Sequence, residues 1–133
     1  MKLIELATLY RILNLYAHHA HNLAKGKTFF EDHEFFNGVY TFADSAYDDC
    51  IERHIGTVDD KVDLTSILEE SLSTISKASN DYFPVIEMML EEVVKYINEM
   101  CKDKVFSEGT KNMIQGQADQ IEIMIYKIKR RMK

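Results

Sequence analysis

The stretch His18–Glu52 reads HHAHNLAKGKTFFEDHEFFNGVYTFADSAYDDCIE and carries four of the chain's five histidines. Two of them, His21 and His33, stand twelve residues apart across a break at Lys25-Gly26-Lys27. Asp48 and Glu52 follow at i, i+4 spacing, which makes them neighbours on one face of a helix. Histidine with carboxylate, and no thiolate at metal-binding spacing, is a ligand set for iron, manganese or zinc.

Helix geometry constrains how such ligands meet. If residues 28–55 form one helix, His33, Asn37, Asp48 and Glu52 fall within roughly a 100° arc. They share a stripe but not a site, because the rise of ~1.5 Å per residue puts His33 roughly 25 Å from the carboxylate pair. Two copies lying antiparallel about a two-fold axis resolve this: His33 of each would face Asp48 and Glu52 of the other.

At these residues the chain resembles the Dps family, the mini-ferritins that protect DNA in starved cells. The run H-N-L-A-K-G-K-T-F-F-x-x-H from His21 to His33 is similar to the family's H-W-N-V-K-G-x-x-F-F-x-x-H, and D-x-x-x-E follows at Asp48–Glu52. Glu108-Gly109-Thr110 opens the last helix much as a D-x-G-T segment does there. The resemblance implies a ferritin-like subunit with an iron site shared between chains. His21 and His33 would bind Fe2+/Fe3+ from one subunit, Asp48 and Glu52 from its two-fold mate, with Glu52 bridging two metal positions. His18 and Asn37 would be accessory positions. The implied activity is ferroxidase chemistry with hydrogen peroxide as oxidant, and ferric mineral stored inside a hollow dodecamer. Three departures stand out: Asn37 where the family often has aspartate, Asn22 where it has tryptophan, and a thin acidic segment before the last helix.

Length and composition agree with such a subunit. At 133 residues, 46% hydrophobic and 29% charged, the chain makes one domain, 1–133, with a substantial core. No window approaches ~18 uncharged apolar residues, so no membrane span is expected. The start, MKLIELATLY, carries a glutamate and an amphipathic pattern rather than a signal peptide. Cys50 and Cys101 have no metal or redox spacing and read as apolar thiols of a reducing cytoplasm. The net charge of −6 favours cations over nucleic acid.

Periodicity supplies an all-α architecture. Leu3, Leu6, Tyr10, Leu13, Ala17 and Ala20 make the seam of a first helix over 2–24, and Leu9, Ile12 and Tyr16 make a second apolar strip beside it. Lys25-Gly26-Lys27 predicts its end, with glycine in the left-handed region. Thr28 with Glu31 predicts a capping box for a second helix that Gly56 ends. Leu64, Ile67, Leu68, Leu72 and Ile75 predict a short helix within a crossover over 57–80. A third bundle helix spans about 81–102 with Pro84 in its first turn, and Ser107 caps a fourth. The result is a four-helix bundle with a short extra helix in the crossover between its second and third helices.

A di-iron site inside one bundle needs Glu-x-x-His on two helices, and no histidine here has an acidic residue three positions before it. His19 and His54 read as non-ligands, and Glu87, Glu91 and Glu92 as a solvated face. Tyr40 and Tyr47 lie near the ligand stripe and read as packing residues. Lys127, Lys129, Arg130, Arg131 and Lys133 form a basic end suited to a helix C-terminus, and without a long lysine-rich arm they imply weak DNA binding at most. Two functions stay open: a ferroxidase and iron store, favoured by His21, His33, Asp48 and Glu52, and a Dps-like shell or DNA-coating protein with weakened iron chemistry, favoured by Asn37.

Overall fold

A computed structural model describes residues 2–133 and contains five helices and, among the described residues, no strand: α1 (Leu3–Leu23), α2 (Phe29–Thr57), α3 (Leu64–Ser76), α4 (Tyr82–Cys101) and α5 (Glu108–Arg131). α1 packs against α2, α3 and α4, and α4 against α5. One continuous core holds Leu6, Tyr10, Phe36, Leu90, Ile97 and Ile121, all essentially without solvent contact.

Contacts between helix ends fix the directions. Phe83 in the first turn of α4 packs on Phe36 near the start of α2, with ring centroids 4.8 Å apart, so α2 and α4 run parallel. Arg131 at the end of α5 reaches Asp32 at the start of α2, and Arg53 near the end of α2 donates to Thr110 Oγ1 at the start of α5, so these two run antiparallel. Tyr96 late in α4 bonds Lys2 and Glu5 at the start of α1. The crossover through α3 is what lets α4 begin beside the start of α2, as the long 57–80 connection predicts.

Local chemistry explains most boundaries. Gly26 turns the chain between α1 and α2 at φ +89°, a conformation L-residues rarely adopt. Ser107 Oγ accepts from Thr110 N–H at 3.1 Å and caps α5. Asp63 does the same for α3 through Ser66 N–H. Pro84 sits in the first turn of α4, where its missing N–H is harmless.

Two local expectations are corrected. Thr28 does not cap α2: its hydroxyl donates to Asp32 Oδ2 at 2.8 Å, and no side-chain cap bond forms. Gly56 does not end α2, which continues to Thr57 because Val58 N–H still finds His54 O at 2.8 Å. The second strip of α1 is covered, as a helix with two apolar strips leads one to expect: Ile12 and Tyr16 are buried, and α3 packs on α1. α3 turns Ile67 and Ser71 inward, so the unpaired apolar stripe is its outer one: Leu64, Leu68 and Leu72, 56%, 45% and 70% exposed.

Gly26→Ala tests the turn. No neighbour blocks a methyl group, so the expected cost is the left-handed backbone alone, about 1 kcal/mol in chemical denaturation.

Candidate metal centre

The α1–α2 turn brings His21 and His33 face to face. Their rings stack at 3.6 Å between centroids and 23° between planes. His21 Nδ1 lies 2.8 Å from His33 O, and His33 Nδ1 lies 3.0 Å from His21 O. A carbonyl only accepts, so each Nδ1 carries a proton, and a neutral ring in this geometry is the Nδ1–H tautomer. In that form Nε2 keeps its lone pair. A metal-binding histidine is usually held in this way, with its other ring nitrogen donating to a fixed acceptor. Here each residue supplies the acceptor for the other.

Aromatic groups extend the pair on both sides. Phe29, one turn before His33, stacks on its ring at 4.9 Å. Tyr40 meets His21 edge-on at 5.2 Å and stacks on His18 at 4.1 Å and 7°. His18 is exposed rather than a buried neighbour, and its ring lies 6.0 Å from that of His21. Tyr47 is tied elsewhere, with the Arg11 guanidinium 3.8 Å above its ring while Arg11 also pairs with Asp44 at 3.1 Å. Phe29 was legible as an i, i+4 partner of His33; the stacking of Tyr40 on His18 crosses between helices and had no local signal.

Asp48 and Glu52 lie exposed on the last third of α2, and Asn37 is exposed between them and His33. The ~1.5 Å rise puts Asp48 roughly 22 Å beyond His33 along the axis. Among the described residues, no three His, Cys, Asp or Glu side chains of one chain converge as metal ligands. Thus the histidines are brought together and the carboxylates are not brought to them.

The bundle interior has a different character. Tyr10 Oη donates to Gln117 Oε1 at 2.8 Å, and Cys50 Sγ lies 4.0 Å from the same atom. Burial pushes the Cys50 thiol up to about 12, so it stays a neutral thiol at physiological pH. This trio has no carboxylate and does not make a di-iron site. His54 is buried with Nε2 3.5 Å from Asp59 Oδ1, a local contact away from the stripe.

With this geometry in hand, the fold is that of the ferritin-like mini-ferritins. The chain is similar to the Dps protein of Vibrio cholerae O1, described as a member of a broad superfamily of ferritin-like diiron-carboxylate proteins. The two structures superpose with a TM-score of 0.63 at 18% sequence identity, over 98% of this chain and 86% of that one. No family model and no curated protein sequence matches the chain. Likeness at this identity establishes the fold. No helix among the described residues is long and apolar enough to cross a membrane.

The reciprocal bonds carry a spectroscopic prediction. In metal-free protein at alkaline pH, 15N spectra of labelled histidine are expected to show Nδ1–H tautomers for His21 and His33, against the Nε2–H form common in free histidine. Nε2–H signals for both rings would refute the arrangement.

Proposed function

We propose that this chain is an iron-oxidising and iron-storing mini-ferritin whose metal centre is completed between two copies. The observation that carries the reading is the His21–His33 pair, two stacked imidazoles each held through Nδ1 by the other's backbone carbonyl, which leaves Nε2 as the ligand atom of each ring. Such a pair is half of a site. Asp48 and Glu52 of a second copy, antiparallel about a two-fold axis, would supply the oxygen ligands. The stripe of Leu64, Leu68 and Leu72 on α3 supports such a partner, since these side chains lie largely exposed along one face of a helix.

Fe(II) is the substrate in this reading. Two Fe(II) ions and one peroxide, with two protons, give two Fe(III) and two waters, and taking the electrons as a pair avoids releasing hydroxyl radical. Glu52 would bridge the two metal positions. Ferric mineral would then collect inside a closed shell of subunits, with a dodecamer as the expected assembly and the cytoplasm as its place. DNA binding would be weak, because the subunit is acidic and Arg131 of the basic end is already paired with Asp32.

Asn37 bears on the second metal. It stands exposed one turn after His33, where the resemblance leads one to expect a charged ligand, and an amide is a poorer ligand than a carboxylate. Asn37→Asp is expected to tighten the weaker of two Fe(II) steps in anaerobic titration; unchanged binding would remove this position from the site.

Mixing two inactive mutants tests the shared site directly. His21→Ala/His33→Ala and Asp48→Ala/Glu52→Ala are each expected to lose rapid Fe(II) oxidation. In a mixed dimer one site inherits both defects, while the other joins intact histidines to intact carboxylates. Refolding the two together should restore roughly a quarter of wild-type sites if mixing is unbiased. With mixed dimers verified by mass, no recovery would mean that these residues do not meet across a two-fold axis.

A further inference from the structure

The first turn of α2 carries Phe29 and Asp32 and leads directly into His33, yet the cap bond that usually steadies such a turn is missing: Thr28 Oγ1 accepts from Arg131 Nη2 and donates to Asp32 Oδ2 instead of accepting from the helix backbone. What holds the turn comes from the opposite end of the chain. Arg131, the last residue of α5, donates from Nε to Asp32 Oδ1 and from Nη2 to Asp32 Oδ2, each at 3.1 Å. Nη2 also donates to Thr28 Oγ1 at 3.0 Å. The guanidinium lies 4.9 Å from the centroid of the Phe83 ring in the first turn of α4. Three helix ends therefore meet on one planar cation. The Asp32 side chain is only 11% exposed, so the pair is well shielded on the carboxylate side.

A fork-to-fork pair fixes the orientation of both partners as well as their separation, which a point charge cannot do. Asp32 is covalently next to His33. Any rotation of this turn about the helix axis swings the His33 ring, and with it both reciprocal bonds to His21.

We propose that Arg131 is a positioning residue for the His21–His33 pair: by gripping Asp32 it sets the rotation of the first turn of α2 and so the direction of both free Nε2 atoms. The inference rests on the metal-centre reading above. In the sequence, Arg131 is one charge of a basic tail; in the fold it is withdrawn from that tail.

The test uses the full-length assembled protein and two readouts, one of them metal-free. Amide hydrogen exchange followed by mass spectrometry reports on the turn, and anaerobic titration with Co(II) reports on the ligands. In Arg131→Ala, exchange across residues 24–36 should rise about tenfold or more while the middle of α4 keeps its rate. Co(II) affinity should fall about tenfold. Arg131→Lys should recover little of it, and Asp32→Asn should act in the same direction; these two carry the test if Arg131→Ala does not fold. Ser107→Ala, at the other end of α5, is the control, lowering the melting temperature without changing Co(II) affinity. Unchanged exchange in residues 24–36 overturns the proposal, as does a loosened turn with wild-type Co(II) affinity. An equal Co(II) loss in Ser107→Ala overturns it too, because general destabilisation would then suffice. If the wild-type protein takes up no Co(II), the metal centre itself falls and the positioning role with it, a result visible before any variant is made.

Discussion

Two hydrogen bonds, each from an imidazole Nδ1 to the backbone carbonyl of the other histidine, organise the α1–α2 end of this bundle. They span the only place where α1 hands the chain directly to α2, so they close the helix hairpin and set the ring tautomers in one act. The carbonyl of His21, in the last turn of α1, lacks a helical partner and needs a donor, and a metal-binding histidine needs an acceptor for its second nitrogen. Here the two needs cancel. The left-handed Gly26 follows from the same requirement, because the turn must be tight enough to bring residues twelve apart into ring contact.

Much of this was legible in sequence, for reasons that can be stated residue by residue. Helix periodicity of 3.6 exposes α1, α2, α4 and α5 because each buries one long stripe, and α3 because Ile67 and its neighbours repeat the pattern between polar ends. The end of α1 and the start of α5 were readable since Gly26 and Ser107 act through their own backbone or that of residues three away. Thr28 misled because its hydroxyl had a competitor that sequence does not display. Asp32 and Arg131 are 99 positions apart, and only the closed bundle puts the guanidinium where it draws Asp32, and Thr28 with it, out of capping geometry.

The second apolar strip of α1 shows the same limit from another side. Leu9, Ile12 and Tyr16 rightly signalled a helix covered on more than one face, but periodicity does not say by what. The crossover helix supplies the cover and carries the exposed stripe one layer outward, to Leu64, Leu68 and Leu72. Burial demand is conserved in such a handover; its address changes.

Helix length then turns geometry into a condition on assembly. α2 has 29 residues and is roughly 43 Å long, and its histidine and carboxylates sit towards opposite ends. A straight helix cannot fold back to join them, and among the described residues no acidic side chain completes a three-ligand cluster with the His21–His33 pair. Two imidazoles alone make a weak, two-coordinate foothold for a hard ferrous ion, which prefers oxygen ligands as well. On the reading proposed above, a lone subunit would therefore be a poor catalyst by construction, and oxidation would begin only where a partner's Asp48 and Glu52 arrive. That coupling has a chemical use. Ferric product would form at the seam between two subunits, beside the space the assembly encloses, rather than on isolated chains in free solution where oxidised iron precipitates and half-reduced oxidant escapes.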